Sequence, residues 1–195
     1  NPFIHHGFNV LWYAVSVVMV FLVISQWFSK QNILFPLIVA LLFAVHPVHT
    51  EVVANIKSRD EIMSMFFVLS AFWAYGNFHI KEKVFWLYGA MILYFFALTS
   101  KESAVTMFPV FGMLSWWTYQ KDIKNSIKTG IWFLVPVIIL MLIRFSIFDG
   151  APTPTTDIMD NPIVAASGFG QKTATSMVIL IKYLTILIFP HPLSS

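Results

Sequence analysis

One segment, residues 46–61, gathers most of the side chains that could perform chemistry in an otherwise apolar stretch of sequence. It contains two histidines, three carboxylates and two cations within sixteen residues, namely His46, His49, Glu51, Lys57, Arg59, Asp60 and Glu61. Ionisable groups are costly near a lipid bilayer and are usually kept there for function. This polar segment is therefore the first candidate for a functional site.

Metal binding is one chemistry that the polar segment could support. His46 and His49 are three residues apart, and Glu51 follows closely. Two imidazoles and a carboxylate could hold a divalent cation. The alternative is a pair of histidines that only form hydrogen bonds, because a break at Pro47 would turn the two rings apart. No cofactor is required by the sequence, and a divalent metal at His46, His49 and Glu51 stays open.

Anion binding is the second chemistry. Lys57, Arg59 and Lys101 could hold a phosphate, and arginine could do so through two parallel hydrogen bonds. The alternative is contact with lipid headgroups. Arg144 lies four residues before the end of an apolar stretch. It could reach the membrane surface, or pair with a lipid phosphate or with an acid of the loop that follows.

The local pattern predicts a short interfacial helix within the polar segment. Pro47 suits the first turn of a helix, where its missing N–H is not needed. The apolar residues that follow fall on one helical face, leaving the polar residues toward water; they are Val48, Val52, Val53 and Ile56.

Two capping boxes are predicted as well. Ser58 and Glu61 have the required spacing, and so have Thr99 and Glu102. A new helix should therefore start near Ser58. Capping and compensation of the helix dipole would then explain Asp60, Glu61 and Glu102 without any catalytic role.

The composition indicates an integral membrane protein. Of 195 residues, 58% are hydrophobic and only 11% are charged, whereas a soluble domain carries roughly a quarter charged residues. The absence of cysteine excludes disulfides and thiolate metal sites. A net charge of +3 gives no indication of nucleic-acid binding.

Seven apolar stretches predict an all-α membrane fold, a bundle of about seven transmembrane helices forming a single domain over residues 1–195. A span needs about 20 apolar residues. Pro109 should kink the fifth helix, and a long polar loop should occupy residues 149–175. The predicted spans are 8–28, 33–45, 62–78, 84–98, 104–119, 131–148 and 176–189.

The distribution of lysines predicts the orientation. Alternate connections on one side carry most of the cations and few acids, so that side should be cytoplasmic; its lysines are Lys30, Lys81, Lys83, Lys121, Lys124 and Lys128. The polar segment, Lys101 with Glu102, and the long loop should then share the extracytoplasmic face.

Residues 46–55, together with Arg59 and Asp60, resemble the signature of the transmembrane and tetratricopeptide repeat-containing O-mannosyltransferases. These belong to the GT-C superfamily of polyprenyl-phosphate-sugar-dependent glycosyltransferases. Further similar motifs follow in the family's order, at residues 6–9, 100–104, 160–162 and 190–194.

The resemblance implies a GT-C-like fold, a polyprenyl-phosphate-linked hexose as donor, a protein hydroxyl as acceptor and a lipid bilayer as surroundings. Under this hypothesis Glu51 and Asp60 are the catalytic candidates. The substrate-binding candidates are His46, His49, Arg59, Lys101, Glu102 and Arg144.

The sequence also departs from the family pattern. The family's key acids lie in a first outer loop that would precede Asn1, and its repeats would follow Ser195. We therefore expect a fragment that is inactive alone. Where the family has Gly-Arg-Ala-Asp, residues 58–61 read Ser-Arg-Asp-Glu.

Two other classes of function remain open from the residues. A transporter could use Arg144, Lys182 and proline-broken helices. A membrane scaffold without enzymatic activity would have no need of the polar segment.

Overall fold

The computed structural model describes residues 2–119, 121–148 and 168–189, and within these ranges the chain is helical with no strand. The predicted all-α class is confirmed. Within these ranges, three helical stretches are long and apolar enough to cross a membrane, at Phe3–Trp27, Ile123–Ile147 and Phe169–Ile188. The second of them includes a turn at residues 132 and 133. Two shorter helices are also apolar, at Leu34–Val45 and Val84–Ser100.

The chain divides into two compact units, Asn1–Ile147 and Phe148–Ser195. Two 3₁₀ helices, Ile56–Ser58 and Glu102–Met107, interrupt the first unit. The α-helices in chain order are α1 (Pro2–Trp27), α2 (Leu34–Val45), α3 (His49–Ala54), α4 (Arg59–Lys81), α5 (Val84–Ser100), α6 (Phe108–Trp117), α7 (Ile123–Ile131), α8 (Leu134–Phe148) and α9 (Phe169–Ile188).

The predicted break in the polar segment is present. Helix α2 ends at Val45, where His46 adopts an extended conformation, and α3 is the short helix that the apolar periodicity predicts. The Ile56–Ser58 turn then leads into α4. The Asn55 side chain holds this turn by accepting a hydrogen bond from the Lys57 N–H at 3.0 Å.

Several predicted boundaries were wrong. Helix α1 begins at Pro2 rather than near residue 8, and α7 occupies much of the connection predicted between the fifth and sixth spans. Helix α9 begins at Phe169, inside the region predicted as a long loop. The rest of that loop, residues 149–167, and the motifs at 160–162 and 190–194 lie outside the described residues.

The predicted kink at Pro109 was also wrong. Pro109 lies in the first turn of α6, directly after the Glu102–Met107 helix. A proline is favourable there because the first helical N–H groups have no partner within the helix.

Helix α4 packs against both α1 and α5 in the first unit. Its central contact is an aromatic core in which Tyr75 and Tyr94 are fully buried beside two phenylalanines. The rings of Phe111 and Phe133 are stacked, with centroids 3.5 Å apart. This core joins α4, α5 and α6 to the turn before α8, and it fixes the ends of those helices relative to one another.

Helices α6 and α7 approach closely through small residues. A Cβ atom placed on Gly130 would lie 2.9 Å from the Cα atom of Gly112. Small residues at such contacts allow the backbones of membrane helices to touch. Helix α9, the described part of the second unit, has no fully buried side chain.

We predict that Gly130→Ala destabilises the protein by about 1–3 kcal/mol, because the new methyl group overlaps backbone atoms that cannot rotate away. The matched control is Gly89→Ala in α5, where no heavy atom lies within 4 Å of the added carbon. Alanine there should be neutral or stabilising by up to about 1 kcal/mol. Thermal melting of the purified variants in detergent measures both effects, and equal melting temperatures would contradict the close packing of α6 and α7.

Candidate functional site

A charged cleft of about 620 Å³ lies where the start of α4, the end of α5 and the side of α8 meet. It contains four of the ionisable residues singled out in the sequence. The residues that line it are Asp60, Leu98, Thr99, Ser100, Lys101, Glu102, Ser103, Leu140 and Arg144. The structure therefore brings part of the polar segment beside Lys101 and Glu102.

Hydrogen bonds across helices hold the walls of the charged cleft. The Ser64 hydroxyl of α4 donates to the carbonyl of Ala97 in α5 at 3.1 Å. The same carbonyl accepts the Lys101 N–H at 3.0 Å, where α5 ends. The Tyr94 hydroxyl donates to the Ala104 carbonyl at 3.0 Å and so fixes the 3₁₀ helix that carries Glu102.

Two ion pairs organise the charges. Lys101 pairs with Glu61, and Arg144 forms a two-point contact with Glu102, in which the Nη2–Oε1 distance is 2.8 Å. Planar guanidinium and carboxylate groups match in this geometry. Arg144 therefore pairs with an acid from another helix, whereas the loop that was its alternative partner lies outside the described residues.

The prediction of two capping boxes was wrong, because the expected capping hydrogen bonds do not form at Ser58 and Thr99. Ser58 does precede α4, but its side chain makes no capping hydrogen bond. Thr99 lies inside α5 and its hydroxyl donates to the Phe96 carbonyl at 3.0 Å. Because Glu61 and Glu102 form ion pairs, capping is not their whole role.

Asp60 differs from the other charged residues of the cleft. Within residues 2–119, 121–148 and 168–189, it takes part in neither of the two ion pairs, and its side chain is exposed. The hydrogen bond from Arg144, reinforced by the attraction of its positive charge, lowers the pKa of Glu102 against the opposing effect of burial. As far as the described residues show, the cleft thus holds one carboxylate outside the ion pairs, Asp60, and one that its arginine partner keeps ionised, Glu102.

The two histidines lie together on the other side of the polar segment. The His49 ring packs on Phe43, with centroids 4.4 Å apart, and contacts the His46 ring edge to face at 5.9 Å. His46 Nδ1 accepts the Val48 N–H at 3.3 Å. Burial lowers the pKa of His49, and the nearby His46 lowers that pKa further.

The metal hypothesis is not supported by this arrangement. Glu51 is exposed in the first turn of α3. Across the described parts of the chain, no three His, Cys, Asp or Glu side chains are placed to hold a metal ion. The two histidine rings instead pack against each other, and His46 accepts a backbone hydrogen bond.

Glu61 links the histidines to the charged cleft. With Tyr13, His49, Val52 and two apolar residues of α4, it lines a small pocket of about 190 Å³. Its carboxylate is also the partner of Lys101. The sequence alone did not identify Glu61 as a site residue, and the spacing that suggested a capping box concealed its role.

Arg59 has a different environment from the one predicted. Its Nε donates to Asn9 Oδ1 at 3.0 Å, and Nη2 donates to the His5 carbonyl at 3.0 Å. The Asn9 amide, which is fully buried, donates in turn to the Asn55 carbonyl at 3.0 Å. Arg59 therefore attaches α4 to α1 and does not line the charged cleft. A polar asparagine in an otherwise apolar helix was the signal for this contact.

We predict that the Arg144–Glu102 pair makes stability depend on acid. Because the pKa of Glu102 in the folded state lies below its ordinary value of 4.5, the pair stabilises the fold above that pH. This contribution is lost as the pH falls through the lowered pKa. Melting temperatures between pH 7 and pH 3 should fall less steeply for Glu102→Gln than for the unmodified protein.

Arg144→Gln and the double variant serve as controls for this prediction. Once Arg144 is replaced, the further change Glu102→Gln should alter the acid dependence little, since the two residues act as a pair. Identical pH profiles for the unmodified protein and Glu102→Gln would contradict the assignment.

Comparisons with known proteins give relatives of one kind. Human protein O-mannosyl-transferase TMTC1 is 32% identical over 121 residues, covering 56% of this chain and 14% of the human protein. Human TMTC3 is 32% identical over 112 residues, covering 55% and 12% respectively. Drosophila melanogaster Tmtc1 is 26% identical over 219 aligned positions, covering 100% of this chain and 24% of the fly protein.

The chain thus spans less than a quarter of the length of these relatives. No family model matches the sequence, and no solved structure matches it. The names of these relatives agree with the family that residues 46–55 resemble. The predicted resemblance is confirmed: the chain is similar in sequence to proteins named TMTC O-mannosyl-transferases.

Proposed function

We propose that the protein containing this chain is a membrane glycosyltransferase. It transfers a hexose, with mannose as the first candidate, from a polyprenyl-phosphate carrier to a protein hydroxyl. One observation carries the proposal: ionisable residues from three helices meet in a single cleft at the ends of apolar helices. The names of the relatives support the transferase class and a protein acceptor. The lipid carrier is what the family resemblance implies, and the cations of the cleft are suited to its phosphate.

Lys101 is the proposed contact for the donor phosphate. An ammonium group has three donors, and Glu61 accepts one of them. The side chain is 33% exposed, so the other donors are accessible from the cleft. The carboxylates and hydroxyls along the same walls could accept and donate hydrogen bonds to the sugar; they belong to Asp60, Thr99, Ser100, Glu102 and Ser103.

The proposed reaction is a displacement at the anomeric carbon of the sugar. The acceptor oxygen forms a bond to that carbon, while the bond from the carbon to the phosphate oxygen breaks and its electron pair leaves with the lipid phosphate. A carboxylate takes the proton of the acceptor hydroxyl. Asp60 is the proposed base in the cleft, since it is exposed there and outside both ion pairs.

The residues beside the cleft have supporting roles in this proposal. Glu51, His46 and His49 shape its approach on the side of Glu61, and Arg59 holds α4 in place. Glu102 and Arg144 form the far wall, where a phosphate or sugar would contact a preformed ion pair. Glu51 also remains a second candidate for the base.

We further propose a multi-pass, GT-C-like bundle of about seven spans with the charged cleft on the extracytoplasmic face. The three helices of spanning length and the two shorter apolar helices support a membrane location. The lysine distribution supports the orientation. A carrier whose long chain lies in the bilayer could then present its phosphate to the cleft from the membrane side.

Lys101→Ala should reduce donor-dependent transfer by the purified full-length protein by about 100-fold, because a cation in a partly dry site stabilises the charge of the leaving phosphate. Asp60→Asn should reduce turnover by about 100-fold or more if Asp60 is the base. Transfer of radiolabelled sugar to an acceptor peptide measures both rates.

The matched control is Lys57→Ala, which removes an exposed lysine of the polar segment that does not line the cleft. Glu51→Gln belongs to the same series and should lower turnover more than stability. Full activity in Lys101→Ala and Asp60→Asn, with normal melting, would show that the reaction occurs elsewhere.

Cysteine labelling tests the orientation, because the chain has no cysteine of its own. The cysteine of Lys57→Cys should react with an impermeant thiol reagent added on the extracytoplasmic side. The cysteine of Lys30→Cys should not react from that side. Both positions are exposed, whereas Ser126 on the predicted inner side is buried and unsuitable. Labelling at position 30 alone would reverse the proposed topology.

A further inference from the structure

A second polar pocket lies near the other end of α4. It has a volume of about 430 Å³, and its polar lining includes His79, Glu82, Lys121, Asn125, Lys128 and Thr129. We refer to it as the basic pocket. His79 follows Asp60 by nineteen residues in α4, which corresponds to about 30 Å along a helix. The basic pocket is therefore separate from the charged cleft.

Aromatic packing fixes one wall of the basic pocket. The His79 ring stacks on Tyr119, with centroids 4.7 Å apart, and meets Tyr75 edge to face at 4.5 Å. His79 Nε2 is buried, and no hydrogen-bond partner for it exists among the described residues. A buried ring nitrogen normally has a partner, so a ligand in the pocket would supply what the protein does not.

The opposite wall comes from α7 and the residues before it. The Tyr75 hydroxyl donates to the Thr129 hydroxyl at 2.8 Å, which holds this face of α7 against α4. Asn125 and Lys128 share the face with Thr129, because residues three and four apart lie together on a helix. Their side chains are exposed, as a ligand-binding group must be.

The charges of the basic pocket favour an anion. Among the described residues that line the pocket, Lys121 and Lys128 contribute two positive charges against the single carboxylate of Glu82. A third lysine, Lys81, is directed elsewhere, with its ammonium 4.5 Å from the centre of the Trp86 ring. Basic pockets between membrane helices on the cytoplasmic side are typical sites for anionic headgroups.

We propose that the basic pocket binds a phosphate-bearing anion, with Lys121 and Lys128 as the charged contacts. Asn125 and His79 contribute further hydrogen bonds. The same chemistry would recognise the phosphodiester of an anionic lipid headgroup or a free phosphate. This site is independent of the proposed transferase reaction, and binding there requires no glycosyl donor.

Native mass spectrometry of the purified full-length protein tests the proposal. Phosphatidylglycerol is titrated into detergent micelles in one arm and inorganic phosphate in the other, with phosphatidylcholine as the neutral reference. Each of Lys121→Gln and Lys128→Gln should weaken binding about fivefold, the effect of one lysine near an anionic surface. Lys124→Gln is the matched control, since Lys124 is an exposed lysine of the same helix that does not line the pocket.

Glu82→Gln should change the affinity for anions in the opposite direction. Removal of Glu82, the one carboxylate that the described residues contribute to the pocket, should strengthen anion binding. A gain of affinity cannot result from misfolding. Binding of phosphatidylglycerol alone would identify a lipid headgroup, and binding of inorganic phosphate as well would identify a free phosphate site. The proposal would be overturned if Lys124→Gln and Lys128→Gln lost the same amount of anion affinity. It would also be overturned if neither Lys121→Gln nor Lys128→Gln lost affinity.

Discussion

The Lys101–Glu61 ion pair joins the end of α5 to the beginning of α4, and the charged cleft depends on it. Neither partner is deeply buried, with 33% and 43% of the side chains exposed. Exposed pairs contribute little to stability by themselves. The pair matters here because it closes a contact that Ser64 and Tyr94 have already positioned through hydrogen bonds to the backbone.

The need to pair polar groups within the protein also explains the other contacts around the polar segment. Polar groups within apolar helices need partners inside the protein, because the hydrocarbon core of a bilayer offers none. Arg59 finds Asn9 and the His5 carbonyl, and Tyr13 donates to the Phe43 and Ala44 carbonyls at 3.0 and 3.1 Å. Asp60, outside both ion pairs of the described residues, is thereby distinguished from its neighbours.

The local features of this fold could be predicted from the sequence, whereas the pairing of its charges could not. The break after α2 and the short helix α3 follow from Pro47 and from the apolar period of the polar segment. Glu61 and Lys101, however, are 40 residues apart, and Arg144 and Glu102 are 42 apart. Such partners are set by the packing of helices, so a capping pattern within four residues gave the wrong role for both acids.

Arg59 illustrates the same limit in another way. As a cation within a polar segment, it suits a phosphate, and nothing in its near sequence suggests otherwise. Its partner Asn9 precedes it by 50 residues in α1. Only the contact between α1 and α4 shows that this guanidinium is used for assembly, and that Asn9 is buried for the same reason.

The 3₁₀ helix between Lys101 and α6 has a consequence for movement. A 3₁₀ helix rises about 2.0 Å per residue, compared with about 1.5 Å for an α-helix. Its six residues would therefore shorten by about 3 Å on conversion to α-helix and would turn α6 about its axis. The floor of the cleft is thus connected to α6 through a segment whose conversion to α-helix would change the distance between them.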